Sequence, residues 1–132
     1  MIESGADGRY GLCTEAGDLP FLVVGDGDTI EAAKADFTAV YEAYRDEYYK
    51  RKGERVEAQF DFRWDVSALL QQVKPYVSFV GLSEVTGISR QMLSQYACGF
   101  RRPKDAQRAK IVEGIARLAD KLYMLCAQAE GR

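Results

Sequence analysis

The sequence predicts an α+β protein: a small antiparallel sheet carrying one helix, followed by an all-helical unit. Up to Trp64 the chain contains runs with apolar residues at alternate positions, the period of a half-buried strand. After Asp65 the apolar spacing changes to three and four, the period of a helix, and no strand pattern returns. Charge follows the same division. Residues 1–65 carry 15 acids and 8 bases, a balance of −7, whereas residues 66–132 carry 5 acids and 10 bases, a balance of +5. An acidic half joined to a basic half predicts two units with different partners, over residues 1–64 and 65–132.

The acidic unit reads as strand–strand–helix–strand. In residues 8–15 Tyr10, Leu12 and Thr14 share one face of a strand. Gly17-Asp18 is turn chemistry, and the short apolar run Leu19 to Gly25 reads as a buried strand. Asp28 and Glu31 stand three apart, a capping pair for a helix whose stripe is Ile30, Ala33, Phe37, Val40/Tyr41, Tyr44 and Tyr48. Gly53 stands where that helix should end. Val56, Ala58, Phe60, Phe62 and Trp64 then alternate with polar residues, the clearest strand pattern in the chain. The tyrosines at 41, 44, 48 and 49 read as core and boundary residues, the aromatic stripe as core, and Cys13, Cys98 and Cys126 as small buried hydrophobes.

The basic unit begins with the stripe Val66, Leu69, Leu70, Val73 and Val77, interrupted at Pro75, where a kink or the start of a new helix is expected. Residues 79–98 have the layout of a helix-turn-helix. Ser83 is the small residue where two helices cross, and Gly87 supplies the turn. Leu82, Ile88, Leu93 and Tyr96 supply the shared core, and Ser89 can cap the second helix. The slot at Thr86 usually holds a larger apolar residue. Ser89, Arg90, Gln91, Ser94 and Gln95 are then the candidate base contacts, since Arg can bond guanine and Gln adenine in a bidentate fashion. Gly99 ends the helix, and Arg101, Arg102 and Lys104 are candidate phosphate contacts.

From Lys104 onward Ile111, Ile115, Leu118, Leu122, Leu125 and Ala129 form a seam of nearly heptad spacing, with Val112, Ala116, Ala119, Tyr123 and Cys126 beside it. One small unit needs a single stripe for its own core, so the surplus predicts a homodimer or higher homo-oligomer reading an inverted-repeat operator in double-stranded DNA.

Composition narrows the chemistry. The chain of 132 residues has no histidine, which removes Ser-His-Asp and Cys-His catalysis and His-metal sites. Three scattered cysteines give no zinc spacing. No metal and no cofactor is expected. Asp18, Asp26, Asp28 and Glu31 cluster in sequence as a two-metal nuclease site would require, yet turns at Asp18 and Asp26 and the cap at Asp28 account for them, so no enzyme is expected. The acidic, Gly-rich opening MIESGADGRYG does not read as a secretory signal, and no apolar run approaches the roughly 20 residues that span a bilayer, so a cytoplasmic protein without a membrane partner is expected.

Residues 8–48 resemble the N-terminal domain of HicB-family antitoxins, through Gly8-Arg9-Tyr10, Asp18-Leu19-Pro20, and Gly27-Asp28-Thr29 with Glu31-Ala32 opening the helix. The C-terminal part resembles the Xre-like helix-turn-helix joined to many HicB proteins, with Gly99 and Pro103 matching its GxxxP pattern. The resemblance implies a partial, inactive RNase H-like fold that blocks a small RNA-cleaving HicA-like toxin, and a second domain that represses the operon. That family's domain usually opens with a further strand, for which only Met1-Ile2-Glu3 is available here. The alternative is a stand-alone transcriptional regulator with no toxin partner.

Overall fold

A computed structural model describes residues 1–5, 7–15 and 17–131. Three short strands, β1 (Ile2–Ser4), β2 (Tyr10–Cys13) and β3 (Val24–Gly27), form an antiparallel sheet in the order β1-β2-β3. Leu12 lies opposite Ile2 on one side and Gly25 on the other. The α+β class is therefore as expected, but the order of elements is not. Three strands precede the first helix, because Ile2–Ser4 opens the sheet as β1.

The apolar run Leu19–Gly25 is not a buried strand. The regular strand begins only at Val24, with the Val23 carbonyl accepting from the Thr14 N–H just before it, and Leu22 and Val24 are exposed while Val23 is buried. Asp26 and Gly27 complete β3 instead. Gly25 and Gly27 explain the shift. A Cβ on Gly25 would stand 2.5 Å from the Phe37 nitrogen, and one on Gly27 2.6 Å from the Ala33 nitrogen. Only glycine lets helix α1 (Ile30–Lys52) lie directly on this strand.

Thr29, not Asp28, caps α1: its hydroxyl oxygen accepts from the Ala32 N–H at 3.0 Å. Ile30, Ala33, Phe37 and Tyr41 form the buried stripe, and Gly53 closes the helix with φ 71°. The tyrosine expectation holds only in part. Tyr41 is buried and Tyr48 half-buried, whereas Tyr44 and Tyr49 are exposed.

Residues 54–63 run in no ladder, contrary to the strand pattern. The chain meets the sheet only at its end, where Trp64 forms a parallel bridge with Ile2. There the Ile2 N–H donates to the Arg63 carbonyl at 2.6 Å and the Asp65 N–H donates to the Ile2 carbonyl at 2.7 Å. The alternation is nevertheless real. Ala58, Phe60, Phe62 and Trp64 pack on the core of Ile2, Leu12, Phe37 and Tyr41. Phe60 meets Phe37 edge-on at 4.9 Å between ring centres and Tyr41 at 5.0 Å.

Four helices follow: α2 (Val66–Val73), α3 (Phe79–Thr86), α4 (Arg90–Ala97) and α5 (Asp105–Ala129). The helical pattern is interrupted at Pro75, as expected, but the next helix starts only at Phe79, capped by Ser78. Helix α2 is a wall shared by two cores. Its Ala68 packs into the sheet core, while Val66 and Leu70 join Leu82, Ile88, Leu93, Tyr96 and Ile111 in a second. Ser67 ties the two together: its hydroxyl accepts from the buried Ser4 N–H at 2.9 Å and donates to Asp65 at 2.8 Å. Gln72 adds a bond to the Tyr10 hydroxyl, and Arg108 one to the Trp64 carbonyl. Among the described residues, no helix is long and apolar enough to cross a membrane.

Candidate nucleic-acid interface

Helices α3 and α4 are joined by the short turn 87–89 and share a core, in the local layout that the spacing predicts. Gly87 adopts φ 73° and ends α3, a conformation that favours glycine. The Ser89 hydroxyl accepts from the Met92 N–H at 3.2 Å and starts α4. Leu82, Ile88, Leu93 and Tyr96 are all buried. Thr86 fills its slot by a route that a larger apolar residue cannot use. Its hydroxyl donates to the Leu82 carbonyl at 2.7 Å and accepts from the Ile88 N–H at 3.2 Å, so the turn has an internal hydrogen-bonded brace.

Two neighbouring helices hold this unit. The Gln71 side-chain amide donates to the Ala97 carbonyl at 3.0 Å, fixing the end of α4 to α2. Helix α5 crosses α3 at Gly114, and Arg117 donates to the Val85 carbonyl at 3.1 Å. Side chains carried on packed helices are held more precisely than those on a free loop.

The candidate base-reading residues divide by their surroundings. Arg90, Gln91 and Ser94 are exposed on one face of α4 and make no side-chain hydrogen bond or ion pair among the described residues. Ser89 is exposed, but its hydroxyl is engaged in the cap. Gln95 is half-buried, and its carbonyl accepts from the Phe100 and Arg101 N–H groups at 3.0 and 3.3 Å. That bonding folds the loop after α4 back over the helix end, with Gly99 at φ 74°.

The loop places its cations differently. Arg101 and Lys104 are exposed and outside any ion pair among the described residues. Arg102 instead forms a salt bridge with Glu3 of β1. Gly99 lies against the same strand, where an added Cβ would stand 3.0 Å from the Ser4 carbonyl oxygen. The helix-turn-helix and the sheet thus meet at β1. Phe100, 77% exposed between Gly99 and Arg101, was not singled out by spacing, although a large aromatic in a basic loop is itself a signal.

Asp18 lies in a turn as expected, but Asp26 and Asp28 serve other ends. Asp26 lies in β3 rather than a turn, and neither it nor Asp28 caps a helix. The Arg9 guanidinium bonds Asp28 at 2.6 Å and Asp26 at 2.9 Å. The hydrogen bond that Arg9 donates to Asp26, and then the charge of Asp28, hold Arg9 above its ordinary pKa. The Asp26 N–H in turn donates to Asp36 at 2.9 Å. Among the described residues, no group of three or more acids or cysteines is placed to hold a metal ion. The cysteines are not buried hydrophobes: Cys13 and Cys126 are exposed and Cys98 is half-buried.

Helix α5 spans about 37 Å at 1.5 Å per residue. Its seam covers the helix-turn-helix core only at its beginning. Ile111 is buried, Ile115 and Leu118 are half-buried, and Leu122 and Leu125 are half exposed. Val112, Ala116, Ala119, Tyr123 and Cys126 are exposed throughout. No protein family, characterised protein or solved structure compared with the chain matches it.

Proposed function

We propose that the chain is a HicB-like antitoxin and transcriptional autorepressor. Helix α4 enters the major groove of operator DNA, and the sheet unit binds a small HicA-like toxin. The single observation that carries the DNA reading is α4 itself. It is a braced second helix of a helix-turn-helix with Arg90, Gln91 and Ser94 free on its outer face, leading into a loop with exposed Arg101 and Lys104. Arg90 and Gln91 read base edges; Arg101 and Lys104, with Arg102 when Glu3 releases it, bind phosphates.

Two copies bind together. The exposed apolar end of α5 supports a homodimer, because Leu122 and Leu125 lie uncovered at about half exposure on the seam that begins in the core. A two-fold dimer reads an inverted repeat with half-sites about one helical turn apart or a multiple of it. The toxin reading rests on the acidic balance of residues 1–65, −7, which complements a basic, RNA-directed protein.

Selection of bound duplexes from a random library by the full chain tests the DNA reading. An enriched inverted repeat is expected, and recovery of the library unchanged would contradict it. Affinity purification from the native cell, followed by growth rescue with any small basic protein recovered, tests the toxin reading. An operator without such a protein leaves the stand-alone regulator in its place.

A further inference from the structure

The acidic unit is not uniformly acidic. Residues 50–55, where α1 ends and the chain turns back, carry four bases and one acid, a balance of +3. The other residues of 1–65 carry 14 acids and 4 bases, a balance of −10. Helix α1 has 23 residues and is about 35 Å long. Its last turn therefore lies several Debye lengths, about 8 Å each at physiological salt, from Asp26 and Asp28 beside its start. The acids at that end do not cancel the positive field at this one.

Lys50, Arg51, Lys52 and Arg55 are exposed and outside any ion pair among the described residues. The helix dipole accounts for the three cations in the last turn. It does not account for Arg55, which lies beyond Gly53, nor for Arg45, about two turns before Lys52. Each of these arginines lies over a tyrosine: Arg55 at 5.5 Å from the centre of the Tyr49 ring, and Arg45 at 5.7 Å from that of Tyr41. Between them opens a groove of about 490 Å³. One wall is the helix face of Arg45, Tyr49 and Lys50, and the other is Arg55 and Val56 on the returning chain. The Tyr41 hydroxyl donates to the Val56 carbonyl at 3.0 Å and ties the two walls together. Tyr49 is 46% exposed although Arg55 lies over its ring, so ring surface remains open. Two acids also line the groove. Asp46 is bonded to Arg45 at 3.2 Å, and Glu57 is outside any ion pair among the described residues.

We infer that this groove binds single-stranded nucleic acid. Lys50 and Arg55 bind phosphates, and a base stacks on Tyr49. Four unpaired cations between Lys50 and Arg55 exceed what one phosphate needs, which favours a chain of phosphates over a lone anion. The open tyrosine ring favours unpaired bases, because a duplex keeps its base faces stacked on one another. An acidic protein surface would match the cations but leave Tyr49 without a planar partner. Every base has a face to stack, so the groove selects single strands rather than a sequence. This site stands independently of base reading by α4 and of any toxin, since it lies on another element and takes another ligand.

Fluorescence anisotropy of short labelled homopolymers, one of uridine and one of thymidine, titrated with the full chain over a salt series provides the test. Saturable binding is expected, and the tighter homopolymer names RNA or DNA as the source of the strand. Lys50→Ala and Arg55→Ala should each lower the slope of log affinity against log salt by about 0.7, the single-strand value for one phosphate. Tyr49→Ala should weaken binding on the order of tenfold, whereas Tyr49→Phe keeps the ring and should bind like wild type. Glu57→Gln removes an acid from the groove and should strengthen binding. All four side chains are exposed, so these variants should fold. No binding of either homopolymer, undiminished binding by a folded Lys50→Glu/Arg55→Glu variant, or wild-type affinity in Tyr49→Ala would each overturn the inference.

Discussion

Gly114 of α5 meets Thr86 of α3 so closely that a Cβ on the glycine would stand 2.9 Å from the Thr86 Cγ2 and 2.9 Å from the Val85 carbonyl oxygen. The long helix therefore approaches the turn of the helix-turn-helix through a missing side chain. Gly114→Ala should destabilise the chain by about 1–3 kcal/mol despite alanine's better helix propensity, because α3 must shift to admit the methyl. Urea unfolding of the two proteins measures this. Equal or greater stability of the alanine variant would mean that α5 packs less closely there.

The brace at Thr86 makes a contrasting pair. Thr86→Val keeps the shape but leaves the Ile88 N–H without its acceptor, and should cost about 1–3 kcal/mol. Thr86→Ser keeps the hydroxyl and loses only a methyl, so it should cost about 1 kcal/mol. Denaturation midpoints at equal slope give both values, and a valine variant as stable as the wild type would remove the brace from the account.

Arg101 and Arg102 are adjacent in sequence but not equivalent. Arg102 is already paired with Glu3, whereas Arg101 is unpaired among the described residues. Arg101→Ala should lower the slope of log affinity against log salt by about 0.9, the value for one phosphate contact. Arg102→Ala should lower it by less, since binding a phosphate there must displace a carboxylate. Glu3→Gln should bring the Arg102 contribution up to that of Arg101. Titrations of operator DNA over a salt series separate these outcomes.

The end of α5 offers a test of assembly that leaves the core intact. Leu122→Glu/Leu125→Glu changes two half-exposed side chains. The variant should retain its helical content and become a monomer at micromolar concentration, and light scattering reads the mass directly. A dimer unaffected by the change would place the interface elsewhere.

The helix-turn-helix was legible because its signals are local. Gly87, Ser89 and the four core residues act within a few positions of one another, and each is found as spacing predicts. The sheet unit was less legible because its decisive partners are distant. Asp28 pairs with Arg9, 19 residues away, and leaves the cap to Thr29. Alternation in residues 56–64 correctly marks which side chains are covered, but it carries no information on whether a neighbouring strand supplies hydrogen bonds. The apolar run at 19–25 misled for a related reason: close contact with α1 requires Gly25 and Gly27, and glycine has no weight in an apolar pattern. At the candidate interface, the exposure of Arg90, Gln91 and Ser94 was readable from helical phase. The engagement of Arg102 with β1 was not, since it joins two units separated by about a hundred residues of chain.

The most direct measurement of the central claim compares wild type with Arg90→Ala/Gln91→Ala for binding to the selected inverted repeat and to an unrelated duplex, at one fixed salt concentration. Both side chains are exposed, so the fold should be unchanged. Wild type should prefer the repeat by at least about 10³-fold. The variant should lose about 1–3 kcal/mol for each bidentate contact on the repeat while binding the unrelated duplex more nearly as before. Undiminished preference in the folded variant would contradict base reading by α4.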